Sequence, residues 1–313
     1  MQPLLQFPAF SSARPVLGLR AWCGCLALFC AGLGLHGAAG ADPVDAGYAA
    51  LDADDPARAL ASFEEALAGG NKSVEARLGH GMALAENGYH GRAETAFKEV
   101  TRRQPDHALA WNRKGVAQYN QHRFQQAARS LERAVSLRPT EGFFHESLAW
   151  ALLCEGQTEA AVRSALQAML IYEESGEDPA FSLLLAWYGF RRMGDQAEAD
   201  KIVTFARNRL NPVVWPFPLF AYFGGLIDAD SMIVEVTDRH QETEARAYLA
   251  ARAILDQQPM EALPHLHWIR KRGSQRVFEQ VWAETLLNDL EDPGPTGAAA
   301  RIDTPAADDP PSG

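Results

Sequence analysis

Cysteine is nearly absent from most of this 313-residue chain. Cys23, Cys25 and Cys30 lie near the N-terminus, and beyond them only Cys154 remains. One thiol cannot form an internal disulfide, so oxidation contributes nothing to the fold, and in its apolar helical run Cys154 reads as a small buried residue. Clusters of β-branched residues are also missing, while Ala, Leu, Glu, Arg and Gln dominate. That excludes a sheet-rich fold and favours helix throughout. Basic residues are in deficit, with a formal charge of −11. Arg14 and Arg20 are the only formal charges before Asp42, so the chain beyond that point is more acidic still. This balance argues against nucleic acid and anionic membrane surfaces, which select Lys/Arg patches. It suits basic protein partners, and it is also an ordinary solubility device.

Catalytic signatures are missing too: there is no G-x-S-x-G, no Gly-rich phosphate loop and no C-x-x-C. His145-Glu146 lacks a second histidine four residues after the first. His265-x-His267 could pinch a metal but has no third ligand nearby, and two exposed histidines around Trp268 is the simpler reading. The acid pairs Asp54-Asp55, Glu64-Glu65 and Glu173-Glu174 read as solvated helix faces or helix starts. The expectation is a protein that is not an enzyme and has no cofactor and no metal. A metal-dependent enzyme using His265 and His267 is the remote alternative.

Long apolar runs are scarce. The one from Ala21 to Leu35 is about fifteen residues, short of the roughly twenty a spanning helix needs. It follows a stretch whose charges are two arginines and precedes the small-residue site Ala39-Gly40-Ala41, the three parts of a secretory signal. Cleavage after Ala41 and export to the periplasm is therefore expected, with an uncleaved membrane anchor as the alternative. A lipid-bearing cysteine needs a small residue directly before it and an apolar run leading up to it. Phe29 precedes Cys30, and the apolar run follows Cys25 instead of leading to it.

What the chain does have is a period of about 34 residues, with phased starts at residues 40, 74, 108 and 142. The first unit carries Gly47, Ala59, Phe63 and Ala66; the second, Gly81, Ala93 and Phe97, with Val100 at the last alanine position and Pro105 closing it. The third has Trp111, Gly115, Ala127, Leu131, Ala134 and Pro139. The fourth has Ala149, Ala161 and Ala168, with Ala165 weakening the large apolar position. In that order and spacing these residues resemble the tetratricopeptide repeat (TPR), a helix–turn–helix unit. The resemblance implies an all-α solenoid. Small residues let the two helices of a unit approach closely, and Phe63, Phe97 and Leu131 fill the gap toward the next unit. No hairpin buries its face alone, so stability comes from stacking.

These phased units span residues 42–172. After them the acidic Glu173–Pro179 connector leads to a fifth unit, 173–212, with Trp187, Phe190, Ala199 and Ala206. Residues 213–290 hold an aromatic, proline-bearing stretch (VVWPFPLFAYFGG), a short helix entered at Asp228, a sixth unit with Tyr248, Ala262 and Leu266, and a last helix expected to cap the open end of the stack. About six repeats and a capping helix result. Residues 291–313 are Pro, Ala, Asp and Gly without apolar periodicity, which reads as a disordered tail.

The C-terminal third carries a more specific pattern: Trp215-Pro216-x-Pro218-Leu219, Tyr222-Phe223-Gly224, Glu244-Ala245-x-x-Tyr248-Leu249, then Phe278 and Glu284-Thr285-Leu286-Leu287 on the last helix. Together these resemble the NlpI-type periplasmic repeat proteins. That resemblance implies an adaptor, often a homodimer, holding murein hydrolases or an envelope protease. The chain departs from the family in lacking a lipid-attachment cysteine and in holding Ala250 and Gln257-Gln258 where the family has Gly and a Gly-Asp turn. An assembly factor for an outer-membrane or secretion complex is the alternative.

In stacked repeats of this type the first helix of each unit lines the concave surface. Counting from the repeat starts, the groove candidates are Met82; Leu109, Asn112, Tyr119 and Asn120; Glu146 and Trp150; and Phe181, Tyr188 and Arg191. Aromatic anchors with a few amide and charged groups are what a protein or peptide partner requires. On this reading Trp150→Ala and Asn112→Ala weaken binding with modest loss of stability. A clamp for a free C-terminal carboxylate is not expected, because its two positions hold Asn112 and Val116.

Overall fold

Helix starts are written into the chain as short polar side chains. Asp42, Asp55 and Ser73 each accept a hydrogen bond from a backbone N–H two or three residues on, at Val44, Arg58 and Ala76, satisfying donors that the first turn leaves free. Pro43 and Pro56 follow the first two caps, where a missing N–H costs nothing. The computed structural model describes residues 42–292. The expected signal segment lies outside the described residues, as does the tail beyond Asp292. Among the described residues there are fifteen α-helices and no strand. The chain divides into two compact units between Gln121 and His122, within the third repeat.

The first unit holds α1 (Pro43–Asp52), α2 (Pro56–Ala68), α3 (Val74–Glu86), α4 (His90–Arg103) and α5 (Ala108–Tyr119). Its centre is Phe63, fully buried with Ala59 and Ala66 on the same face of α2. A Cβ on Gly47 of α1 would stand 2.7 Å from the Phe63 ring, and one on Gly79 of α3 only 2.3 Å from it. Phe63 is thus clamped between the glycine of its own hairpin and one of the next, with Tyr48 edge-on at 5.1 Å. Gly81 and Phe97 repeat the contact one unit on, with 2.6 Å between the ring and the missing Cβ. The small-residue logic read from the period holds, and Gly79 is a close approach the period did not mark.

The second unit runs through α6 (Phe124–Leu137), α7 (Gly142–Glu155), α8 (Thr158–Ser175), α9 (Ala180–Arg192), α10 (Gln196–Arg209), α11 (Phe217–Phe223), α12 (Ala229–Val234), α13 (Arg239–Leu255), α14 (Pro259–Arg272) and α15 (Phe278–Glu291). Ala127, Leu131, Ala134, Ala149 and Ala161 are buried as the repeat pattern requires. α8 continues into the expected connector as far as Ser175 and stops at Gly176, whose φ of 77° L side chains rarely adopt. Pro216 opens α11, which ends at Gly224-Gly225, and Asp228 caps α12 through the Ser231 N–H. Repeat junctions in both units use one device. The Trp111 indole N–H donates to the Pro105 carbonyl at 2.9 Å, and the imidazole Nε2 of His145, at the same position of the following repeat, stands 2.9 Å from the Pro139 carbonyl.

The last helix packs on the final hairpin, as expected of a cap, and does more. α15 lies on α13 and α14 and also reaches back to α7, where Phe278 and Trp282, one turn apart, meet Trp150.

Gly79→Ala tests the clamp on Phe63. Alanine gains about 1 kcal/mol of helix propensity, against an overpacking cost of about 1–3 kcal/mol on a ring that Gly47 stops from shifting. Urea denaturation is expected to show a net loss of up to about 2 kcal/mol, and Phe63→Leu in the same chain to remove at least half of the alanine's penalty.

Candidate functional site

The site is built where α15 lies against α7, α9 and α13. Trp282 is its hub, with ring centroids 5.6 Å from Trp150 of α7, 4.7 Å from Tyr188 of α9 and 5.2 Å from Tyr248 of α13. The Tyr188 contact is edge-to-face at 78°, the favoured geometry for such rings. One turn earlier, Phe278 lies parallel to Trp150 at 5.8 Å. Behind Tyr248, Phe223 of α11 stands 6.2 Å away and stacks on Trp187 at 3.6 Å. Trp150, Tyr188, Tyr248 and Trp282 are each at most 3% exposed.

Three carboxyls converge on this aromatic centre from three helices: Glu146 of α7, Glu244 of α13 and Glu279 of α15. Glu244 accepts a hydrogen bond from the Trp215 indole N–H, which gives the Trp-Pro segment its structural task. Burial pushes the Glu146 carboxyl up to about 7, partly offset by the Tyr172 hydroxyl bonded to it. Burial likewise raises Glu244 to about 7 against the opposing Trp215 bond. Glu279 is raised further, by burial first and then by the charges of Glu244 and Glu146. No cation pairs with any of the three among the described residues. The Glu279 Oε1 and the Tyr248 hydroxyl are buried without a hydrogen-bond partner among those residues. The basic groups stand at the rim, where His122 meets Glu284 at 3.0 Å, Arg191 meets Asp256 at 2.6 Å, and Arg192 acts on Asp289 and the Tyr188 hydroxyl.

The groove expected from the repeat count needs correction. Trp150 and Tyr188 are floor residues, but α15 covers them. Tyr119 and Asn112 are fully buried, and both amide atoms of Asn112 lack a hydrogen-bond partner among the described residues. Met82 and Leu109 pack against the Phe97 core cluster. Glu146 belongs to the buried acid cluster, and Arg191 is tied to Asp256. Only Asn120 and Phe181 keep the partly open position expected of them without such a tie. Glu244, Glu279 and Trp282 were missed as site residues. The signal available for Glu279 and Trp282 was the α15 register, which places them on one face with Phe278. His265 and His267 do not converge: the first faces the Arg246 guanidinium at 3.5 Å, the second pairs with Glu291 at 3.3 Å.

A tetratricopeptide-repeat family model matches residues 44–93, 78–142 and 114–180. The hairpins of that segment, which is under half of the chain, match the tetratricopeptide repeat. The match ends where α9 begins, so the TPR hairpins supply α7 of the site, whereas α13 and α15 lie beyond the matched segment. Among solved structures the chain is similar to MamA from Desulfovibrio magneticus RS-1, at 22% identity over 55% of this chain and 99% of that one, with a TM-score of 0.48. A MamA from MSR-1 aligns at 19% identity over 53% and 93%, with a TM-score of 0.46. One from AMB-1 aligns at 18% over 53% and 89%, with a TM-score of 0.45. No curated protein matches the chain.

Two measurements probe the centre. Trp150→Ala removes a ring buried under Phe278 and Trp282, so an unfolding loss of about 3–5 kcal/mol is expected, not the modest one of an open groove. The acids give stability a sign with pH. In the folded chain Glu146 and Glu244 hold protons up to about 7, whereas the unfolded value is 4.5. The folded state therefore binds more protons than the unfolded one across that window, and stability falls as pH rises through it. Glu244→Gln still accepts from Trp215 but cannot ionise, so its urea midpoint is expected to fall less than the wild type's between pH 5 and pH 8.

Proposed function

We propose that this protein is an exported scaffold that gathers protein partners in the cell envelope of a Gram-negative-type bacterium. Tetratricopeptide repeats present stacked helical faces to other proteins, and the chain's acidic charge suits basic partners. The observation that carries the finer reading is one of convergence. The residues on which the resemblance to NlpI-type adaptors rests (Trp215, Phe223, Glu244, Tyr248 and Phe278) form one connected cluster. A pattern that builds one buried arrangement is a stronger likeness than the same residues scattered over a surface. On that reading the partners are murein hydrolases or an envelope protease, bound to a soluble periplasmic protein released by cleavage after Ala41, with a homodimer as its working form. Recruitment to an outer-membrane or secretion assembly is the second reading.

In-cell crosslinking followed by mass spectrometry separates them. Hydrolases or a processing protease crosslinked to residues 122–292, together with an N-terminal peptide starting at Asp42, are the expected result. Crosslinks to outer-membrane assembly components would replace the first reading with the second, and crosslinks confined to cytoplasmic proteins would overturn both.

A further inference from the structure

The aromatic face of α7, α9 and α13 is shaped for a helix, since α15 lies on it. As an occupant α15 is matched in shape and mismatched in charge. Its two rings, four residues apart, sit among Trp150, Tyr188 and Tyr248. Helical register then fixes Glu279 beside Phe278 and turns its carboxyl toward Glu244 and Glu146, where burial and those two like charges both oppose its ionisation. One of its oxygens and the nearby Tyr248 hydroxyl are without a hydrogen-bond partner among the described residues. A buried group left this way costs more than a satisfied one returns. A lysine or arginine at the same place would meet two carboxylates and a hydroxyl acceptor instead.

We propose that the α7–α9–α13 face is a receptor for an amphipathic helix of a partner protein, which α15 fills as an internal stand-in. The partner's helix carries two aromatic residues four apart and a basic residue directly after the first.

The proposal rests on the scaffold reading and adds the class of partner. The connectivity of α15 lets it leave. It is the last described helix, it is joined to α14 by the short segment 273–277, and α13 and α14 keep each other as a hairpin without it. Its ion pairs lie at the rim, His122 with Glu284 at 3.0 Å and Glu291 with Arg270 at 2.9 Å and His267 at 3.3 Å, each worth little in water, and Arg192 acts on Asp289. The titratable groups facing Glu279 are Glu146 from α7 and Glu244 and Tyr248 from α13; Tyr188 of α9 acts on Tyr248, and Arg192 of α9 acts on Tyr188 and Asp289. α14 contributes Arg270 and His267 only at the far end of α15, against Glu291. Raising pH charges the floor, so it loosens the acidic occupant and favours a basic one.

The test uses the full chain and two fluorescein-labelled synthetic peptides of residues 276–291, one unsubstituted and one with Glu279→Lys, titrated by fluorescence anisotropy at pH 5.5 and 8. The lysine peptide is expected to bind at least about tenfold tighter at pH 8, with the difference shrinking at pH 5.5. Replacing both of its aromatics with alanine should abolish binding. In the protein, Glu279→Gln relieves the repulsion under α15, so it should raise Tm and weaken capture of the lysine peptide. Glu146→Gln with Glu244→Gln should erase the preference for lysine while circular dichroism stays unchanged. Equal affinity of both peptides at both pH values, or binding of neither, would overturn the proposal. Tighter binding of the unsubstituted peptide would also overturn it and point to exchange of α15 between two copies. Failure here leaves the scaffold reading standing if crosslinks map to other faces; loss of all envelope crosslinks is what removes that reading.

Discussion

Trp282 is the contact on which residues 122–292 depend. A repeat hairpin buries its face against its neighbours in sequence, and such contacts are local. Trp282 instead joins α7, α9 and α13, whose residues lie between roughly thirty and one hundred and forty positions upstream. Each aromatic pair adds about 0.5–1.5 kcal/mol beyond burial, which works with the burial of the rings themselves against the slowly growing entropy of closing so long a loop. Without that ring the three first helices would present an aromatic face to water, and exposed patches of that kind invite association.

The same helix that closes the aromatic face brings an acid into it. A carboxylate without a cation does not stay charged in such surroundings, so the folded state holds the proton. Glu146, Glu244 and Glu279 approach one another only because three separate helices meet, and the sum of their repulsion is latent in acid and expressed as pH rises. The packing of α15 and the acidity of its seat are thus opposed. Few interior positions in the chain combine good fit with poor charge in this way; Phe63, clamped by Gly47 and Gly79, has only fit.

That difference explains what could be read from residues alone. The phased starts at 74, 108 and 142 coincide with α3, α5 and α7 within a residue, because the period is a local packing requirement repeated along the chain. Gly47, Ala59, Gly81 and Ala93 were legible for the same reason. Gly79 was not, since it answers a ring in the preceding hairpin and falls off the repeat ruler. The groove was half legible. The count from each repeat start correctly points Trp150 and Tyr188 toward the inner face, but no local feature of α7 or α9 says whether that face is empty. What fills it is encoded in Phe278 and Trp282, on the last helix. Glu146 reads from its repeat position as a solvated polar contact, because a carboxyl on an inner face ordinarily is; in the fold it is half-buried and bonded to Tyr172.

Two kinds of filler therefore hold this protein together, and they differ in what their removal would do. Phe63 and Phe97 are fixed between consecutive hairpins, and taking either away opens a cavity in the core that nothing else can reach. α15 fills a face from outside the hairpin series, follows α14 through a few residues, and is tied at its rim by exposed ion pairs. Its rings and the buried side chains Val281, Leu286 and Leu287 hold α15 in place, so another helix gains by displacing it only where it matches those rings and satisfies the acids better than Glu279 does. A repeat protein whose inner face is filled in this way need not be a closed one, because its own occupant specifies the shape of a ligand while leaving the charge to be improved.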